Sequence, residues 1–254
     1  MHTNSIERLE SIFKTCADDS VLNQAYPDLK DRFLTLLGEL NANPKILDIT
    51  YGKDGRVYKV PLTGNKLAVW LFGFMYWDSQ LPSTLHTILS GDYSLISSNP
   101  GMLFPIPDFS NGLSLSIILS ESSGFAAEDI PLDGEYVDWV KGCGTMIFTP
   151  YFLNRAQHIW NVNNLQGGNI SAVSDVPTLM FSGELDHVCP PEYAVELSGI
   201  LKNSYLYIFP GIPHSPIDYG SCGVMMMKAF LDNPTIAPDN SCMEAFQSGF
   251  NIPG

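Results

Sequence analysis

Along residues 4–15 (N-S-I-E-R-L-E-S-I-F-K-T) the apolar positions recur at helical spacing, with Ile6, Leu9, Ile12 and Phe13 on one face. Asn4 is placed to cap this helix, and Glu7 stands three residues further on, as in a capping box. A second stripe, Leu29, Phe33, Leu36, Leu37 and Leu40, follows Pro27 and is closed by N-A-N-P, which predicts another amphipathic helix. The period then changes. I-L-D-I-T-Y and R-V-Y-K-V-P-L flank G-K-D-G, the pattern of a β-hairpin. Residues 66–90 return to helical spacing and concentrate Trp70, Phe72, Phe74, Tyr76 and Trp77, a cluster suited to a core or to a pocket lining.

Between residues 91 and 150 the prolines at 100, 105, 107 and 131 predict loops around one apolar segment, Leu113 to Leu119, read here as helix. From Val173 onward the pattern sharpens. Pro177 to Ser182 reads as a buried strand, and Pro190 to Leu201 as a helix with Ala194, Leu197, Ile200 and Leu201 on its apolar face. Ser204 to Phe209 reads as a second buried strand ending in P-G-I-P-H-S, and Met225 to Leu231 as the start of a last helix. Strand, helix, strand at this spacing is a βαβ unit, hence part of a parallel sheet.

Charge narrows the function classes. Through Lys66 there are nine basic and nine acidic residues, so the whole net charge of −14 lies in the rest of the chain. Such a balance excludes a nucleic-acid partner, which needs a basic patch. The longest apolar stretch, Leu67 to Met75, is too short to span a bilayer, and Met1–Ser5 shows no basic region leading into an apolar one, so neither a membrane span nor a secretory signal is expected. The five cysteines (Cys16, Cys143, Cys189, Cys222 and Cys242) form no C-x-x-C and no zinc spacing; no metal and no other cofactor is expected.

Functional groups of an open parallel sheet gather where the strands end. Asp186 follows the first predicted strand and His214 the second, so neighbouring exit loops bring the carboxylate within reach of the imidazole. A carboxylate bonded to one ring nitrogen fixes the tautomer and leaves the other nitrogen as a base, two members of a nucleophilic triad. The plainer alternative is that Asp186 caps the following helix and His214 is an ordinary loop residue. His187 adjoins Asp186 but follows no second strand.

V-P-T-L-M-F-S-G-E-L-D-H-V-C-P-P-E-Y-A, S-Y-L-Y-I-F-P-G-I-P-H-S, S-C-G-V-M-M-M-K-A-F-L-D-N-P and D-N-S-C resemble the C-terminal part of the tripeptidyl-aminopeptidase-like serine hydrolases. These are α/β-hydrolases related to proline iminopeptidases. K-T-C-A-D-D-S-V-L-N-Q-A-Y-P-D-L is similar to the start of that family's helical cap. The resemblance implies a partial α/β-hydrolase fold, with residues 1–165 as a mainly helical cap containing the hairpin and 166–254 as the C-terminal portion of the core. It implies Asp186 and His214 as triad acid and base, acting on peptides from a free amino terminus. It implies Glu121 as the acidic cap residue that binds the substrate α-ammonium, with a solvated surface acid as the alternative. It implies a Cys222–Cys242 disulfide, and through it an extracellular or secretory-pathway location.

The departures from that family are equally specific. The nucleophile should stand on a G-x-S-x-G elbow before the cap. No such motif occurs; G-L-S-L-S at 112–116 fails at its last position. Cys189 stands where the family usually has a threonine, and reads as a small buried substitute rather than as a replacement nucleophile. The polypeptide is therefore expected to hold a base and its orienter without a nucleophile, and to be inactive alone. Its expected partners are a peptide substrate and the missing N-terminal half of the hydrolase. The competing expectations are a non-catalytic binding or regulatory protein and a hydrolase of esters or lipids.

Overall fold

The structure, a computed structural model, describes residues 2–104, 110–121, 134–143, 156, 158–160, 162 and 173–252. The backbone clusters into two units. One comprises Met1–Phe74, Leu81–Gly168 and Ile252–Gly254; the other comprises Met75–Gln80 and Asn169–Asn251.

In the first unit the N-terminal stripe forms α1 (His2–Asp18), which buries Leu9, Ile12, Phe13 and Cys16. Asn4 lies inside this helix instead of capping it. Ser5 is fully buried and accepts a hydrogen bond from Trp139 Nε1 at 3.1 Å, so a tertiary contact holds the first turn. A short helix absent from the sequence reading, α2 (Ser20–Ala25), starts at Asp19, whose Oδ1 accepts the N–H groups of Val21 and Leu22, each at 2.9 Å. The second stripe forms α3 (Leu29–Ala42), burying Leu29, Phe33, Leu37 and Leu40.

The hairpin is β1 (Lys45–Tyr51) and β2 (Arg56–Leu62), antiparallel, with Ile49 and Leu62 fully buried. The expected helix over 66–90 is two helices, α4 (Gly64–Phe74) and α5 (Leu81–Leu89). Asp78 Oδ1 accepts the N–H of Gln80 at 2.7 Å, a local turn that competes with helix, and Pro82 then sits in the first turn of α5 where its missing donor does no harm. Gly64 is dictated by packing: a Cβ there would lie 1.9 Å from the carbonyl oxygen of Leu37 in α3. Further on come α6 (Ser94–Ser98), α7 (Asn111–Glu121) over the apolar segment read as helix, and α8 (Val137–Cys143). Trp139 of α8 packs edge-on to Phe33 at 6.2 Å, and Phe33 meets Phe13 at 6.0 Å, which joins α1, α3 and α8 in one core.

The second unit contains β3 (Thr178–Gly183), α9 (Pro191–Ile200), β4 (Ser204–Phe209) and α10 (Cys222–Asp232). β3 and β4 pair in parallel, Thr178 opposite Ser204 through Gly183 opposite Phe209. Phe209, Ile212, Cys222 and Met226 form its core, with Phe181, Tyr207, Cys242 and Phe246 packed around them. The apolar face expected on α9 is only half covered: Ala194, Leu197 and Ile200 are half-buried and no residue of the helix is buried. β3 is half-buried until Ser182 and Gly183, and β4 is half-buried apart from the exposed Ile208 and the buried Phe209.

Candidate functional site

Because β3 and β4 run in parallel and in register, their exit loops leave the same edge of the sheet. Backbone bonds tie the two loops together. The N–H of Glu184 donates to Phe209 O at 3.0 Å and that of Leu185 to Ile212 O at 2.8 Å. Glu184 Oε2 accepts the N–H of Gly211 at 2.6 Å and the hydroxyl of Ser248 at 2.7 Å. Gly183 makes this approach possible, since a Cβ there would stand 1.9 Å from Pro213 O.

Asp186 is buried, and its two carboxylate oxygens have separate tasks. Oδ1 accepts the N–H groups of Val188 at 2.8 Å and Cys189 at 2.9 Å, which fixes the carboxylate to its own loop. Oδ2 lies 2.9 Å from Nδ1 of His214. Asp186 thus turns its own loop without capping the helix that follows, whose N-cap is Pro190, while its other oxygen meets His214. With Nδ1–H donating to Oδ2, the lone pair of the neutral ring is on Nε2. The imidazole is about one-third exposed, whereas the Asp186 side chain is 4 % exposed, so the imidazole is reachable from solvent and the carboxylate is shielded.

His214 is held from two further directions. Its N–H donates to Tyr76 O at 3.2 Å, and the Tyr76 ring meets the imidazole edge-on at 5.2 Å. Ser215, the next residue, has φ +60°, a left-handed conformation that costs a residue other than glycine about 1–3 kcal/mol. Tyr76 also contacts the ring of His187 at 5.1 Å, but it is His214, and not the fully buried His187, that meets Asp186. Tyr76 was not singled out as a site residue from the sequence; the only signal was its place in the aromatic run Trp70–Trp77.

The electrostatics oppose further negative charge. Burial, then the charges of Asp186 and Cys189, push the Tyr76 hydroxyl up to about 12. Tyr219, whose hydroxyl donates to Trp77 O at 3.1 Å, is pushed up to about 12 by burial and then by Asp218, Asp78 and Asp186. Burial and then Asp186 push the Cys189 thiol up as well, which disfavours the thiolate that a cysteine nucleophile requires.

Cys222 and Cys242 are joined by a disulfide, and Cys16, Cys143 and Cys189 are free thiols; Cys189, expected to be buried, is exposed where its loop leads into α9. Glu121 is the last residue of α7, but its side chain lies outside the described residues. Residues 122–133 and 144–155, which flank α8, also lie outside them. A cavity of about 800 Å³ in the first unit, between the ends of α3 and α5, is lined by Glu39, Lys45 and Tyr93 among others. It contains neither Asp186 nor His214, so the chemistry of the acid and imidazole is not there. Among the described residues no helix is long and apolar enough to cross a membrane.

A parallel strand pair with an acid and an imidazole on adjoining exit loops is the arrangement of an α/β-hydrolase core near its C-terminal end. Residues 150–242 match the hydrolase family described as TAP-like protein, and this stretch is a TAP-like C-terminal part. The matched stretch includes Asp186, Cys189, His214 and both disulfide cysteines, covers less than half of the chain, and leaves out Tyr76 and Glu121. No curated protein and no solved structure matches the chain significantly.

Proposed function

We propose that this chain supplies the acid and the base of a serine hydrolase that removes residues or short peptides from a free N-terminus. The observation that carries the reading is the 2.9 Å contact between Asp186 Oδ2 and His214 Nδ1, with Nε2 left as base. In this mechanism Nε2 accepts the proton of a serine hydroxyl as the oxygen attacks the scissile carbonyl. It returns that proton to the departing amine, and Asp186 stabilises the intervening imidazolium. Water then attacks the acyl-enzyme with the same base.

The serine belongs to a second segment, because the sequence has no G-x-S-x-G. That partner is the N-terminal half of the hydrolase sheet. Two observations support it: parallel strands are normally covered on both faces, yet β3 and β4 are half-buried, and α9 buries none of its residues. Glu121 would bind the substrate α-ammonium through a charge-assisted hydrogen bond. The Cys222–Cys242 bridge supports an oxidising compartment, outside the cell or within the secretory pathway.

The test is reconstitution with an N-terminal hydrolase segment that carries the serine elbow, assayed on peptide anilides. Activity should appear only in the mixture, and Asp186→Asn and His214→Ala should each remove nearly all of it. Near-normal turnover in either variant refutes the assignment. Glu121→Gln should raise KM for peptides with a free amino terminus and leave N-blocked substrates unaffected; equal effects on both, or a preference for esters, would overturn the exopeptidase reading.

A further inference from the structure

The carboxylate of Asp186, the sulfur of Cys189 and one imidazole nitrogen of His214 all lie within 4.8 Å of one another. The sequence spacing gave no hint of this group, because two of its members share a loop after β3 and the third comes from the loop after β4. Sulfur, nitrogen and oxygen donors from three side chains, with a fourth position open to water, are the set that suits a zinc-type ion. Zinc–ligand bonds of about 2.0–2.3 Å place tetrahedral donors roughly 3.3–3.8 Å apart, so even the widest separation in the trio must close by at most about 1 Å.

We propose that Asp186, Cys189 and His214 form a binding site for a zinc-type divalent cation, and that a bound cation and the use of Asp186 and His214 as an acid–base pair exclude each other. The carboxylate is prepared for the role. Its Oδ1 is anchored by the N–H groups of Val188 and Cys189, which fixes the carboxylate with Oδ2 beside His214, as the outer hydrogen bonds of a metal ligand do. Cys189 is exposed and the imidazole partly so, which gives the ion a way in.

Binding releases the thiol proton to solvent and forms a metal–thiolate bond. Exclusion follows whichever ring nitrogen is used. An ion on Nε2 occupies the lone pair that would accept a proton. An ion on Nδ1 replaces the hydrogen bond to Oδ2. Metal binding to this chain does not depend on the hydrolase reading.

Co2+ is the probe. Added to the folded chain, it should give a near-ultraviolet thiolate-to-cobalt charge-transfer band with visible bands of a four-coordinate ion, and Zn2+ should displace it. Cys189→Ser and Cys189→Ala, changes at an exposed position, should abolish the charge-transfer band with an unchanged circular dichroism spectrum. His214→Gln should weaken Co2+ binding at least tenfold, and His158→Gln, at an exposed histidine of the other unit, should leave it unaltered. Zn2+ should also protect Cys189 from alkylation. A band that survives in Cys189→Ser, binding unaffected by His214→Gln, or no band at excess Co2+ overturns the proposal. A chain that binds Co2+ but never supports hydrolysis refutes the proposed function alone; one that supports hydrolysis but gives no band refutes the metal site alone.

Discussion

Asp186 uses one carboxylate oxygen to hold its own loop and the other, 2.9 Å from His214 Nδ1, to hold a residue 28 positions later in the chain. This division of labour makes the two oxygens separable by mutation. Asn keeps an acceptor for the N–H groups of Val188 and Cys189 but presents N–H donors to the imidazole, so Nδ1 must become the acceptor and the tautomer reverses. Asp186→Asn should therefore stay folded and lose on the order of 10³–10⁴-fold in turnover when the enzyme is reconstituted. On this chain alone, the ¹⁵N chemical shifts of the His214 ring should exchange between the two nitrogens. Asp186→Ala removes both acceptors as well, and should cost about 1–2 kcal/mol more than Asn in urea denaturation.

The approach of the two exit loops depends on Gly183. A methyl group there would meet Pro213 O at 1.9 Å and Ile212 O at 2.4 Å, both backbone atoms that cannot rotate away. Gly183→Ala should cost about 3 kcal/mol or more, a value reached only when backbone or core must move. Urea denaturation measures the loss. In whatever folded protein remains, the His214 ring resonances should report a lengthened contact to Asp186. A stability within about 0.5 kcal/mol of the unmodified chain would show that the loops are not packed as described.

Tyr76 and Tyr219 give the second unit an alkaline limit. Both hydroxyls ionise near 12 in the folded chain against an ordinary value of 10.0. The folded state thus binds the phenolic protons more tightly than the unfolded state. The resulting stabilisation is fully present below pH 10 and is lost as pH rises through 10 to 12. Spectrophotometric titration of the 11 tyrosines should show a late phase near pH 12 or an unfolding step that precedes it. Tyr76→Phe should remove part of that phase and reduce the loss of stability between pH 10 and 12. A titration in which every tyrosine ionises near 10 with the fold intact would contradict the burial of these two hydroxyls.

The hairpin and the strand–helix–strand unit were legible because each rests on local periodicity closed by turn residues. Asp186 and His214 were legible for a topological reason: parallel strands bring their exit loops together whatever lies between them. Tyr76 was not legible, because it reaches His214 through a short turn between α4 and α5, in a stretch whose helical spacing concealed the break at Asp78. The start of α1 was misread because capping rules describe isolated helix ends, whereas Ser5 is held by Trp139. The apolar stripe of α9 was legible as a stripe, but among the described residues its helical members are only half covered, and Leu201, just past the helix, is the member that is buried. The Asp186–Cys189–His214 group escaped notice because metal-ligand spacing rules assume ligands clustered in sequence.

The disulfide should act on the C-terminal tail more than on the site. It closes a loop of 20 residues, for which the entropy of the unfolded chain predicts about 3 kcal/mol of stabilisation. Cys222 opens α10 beside Met226 and Phe209, while Cys242 brings in the segment whose Phe246 packs edge-on to Phe209 at 5.5 Å. A second tie, from the Tyr207 hydroxyl of β4 to Pro238 O at 2.7 Å, anchors the same loop to the sheet. Reduction, or replacement of both cysteines by alanine, should therefore lower the urea midpoint and first release the tail beyond α10, seen as faster amide exchange from residue 233 onward. The backbone bonds from Glu184 and Leu185 to the β4 loop do not involve the tail, which touches this junction only through Ser248 on Glu184 Oε2, so the Asp186–His214 contact should outlast that release. Reduction that leaves the urea midpoint unchanged would mean that the tail is held by its apolar contacts alone. Reduction that separates Asp186 from His214 at the same denaturant concentration as the tail would mean that the bridge, rather than the paired exit loops, sets the geometry of the site.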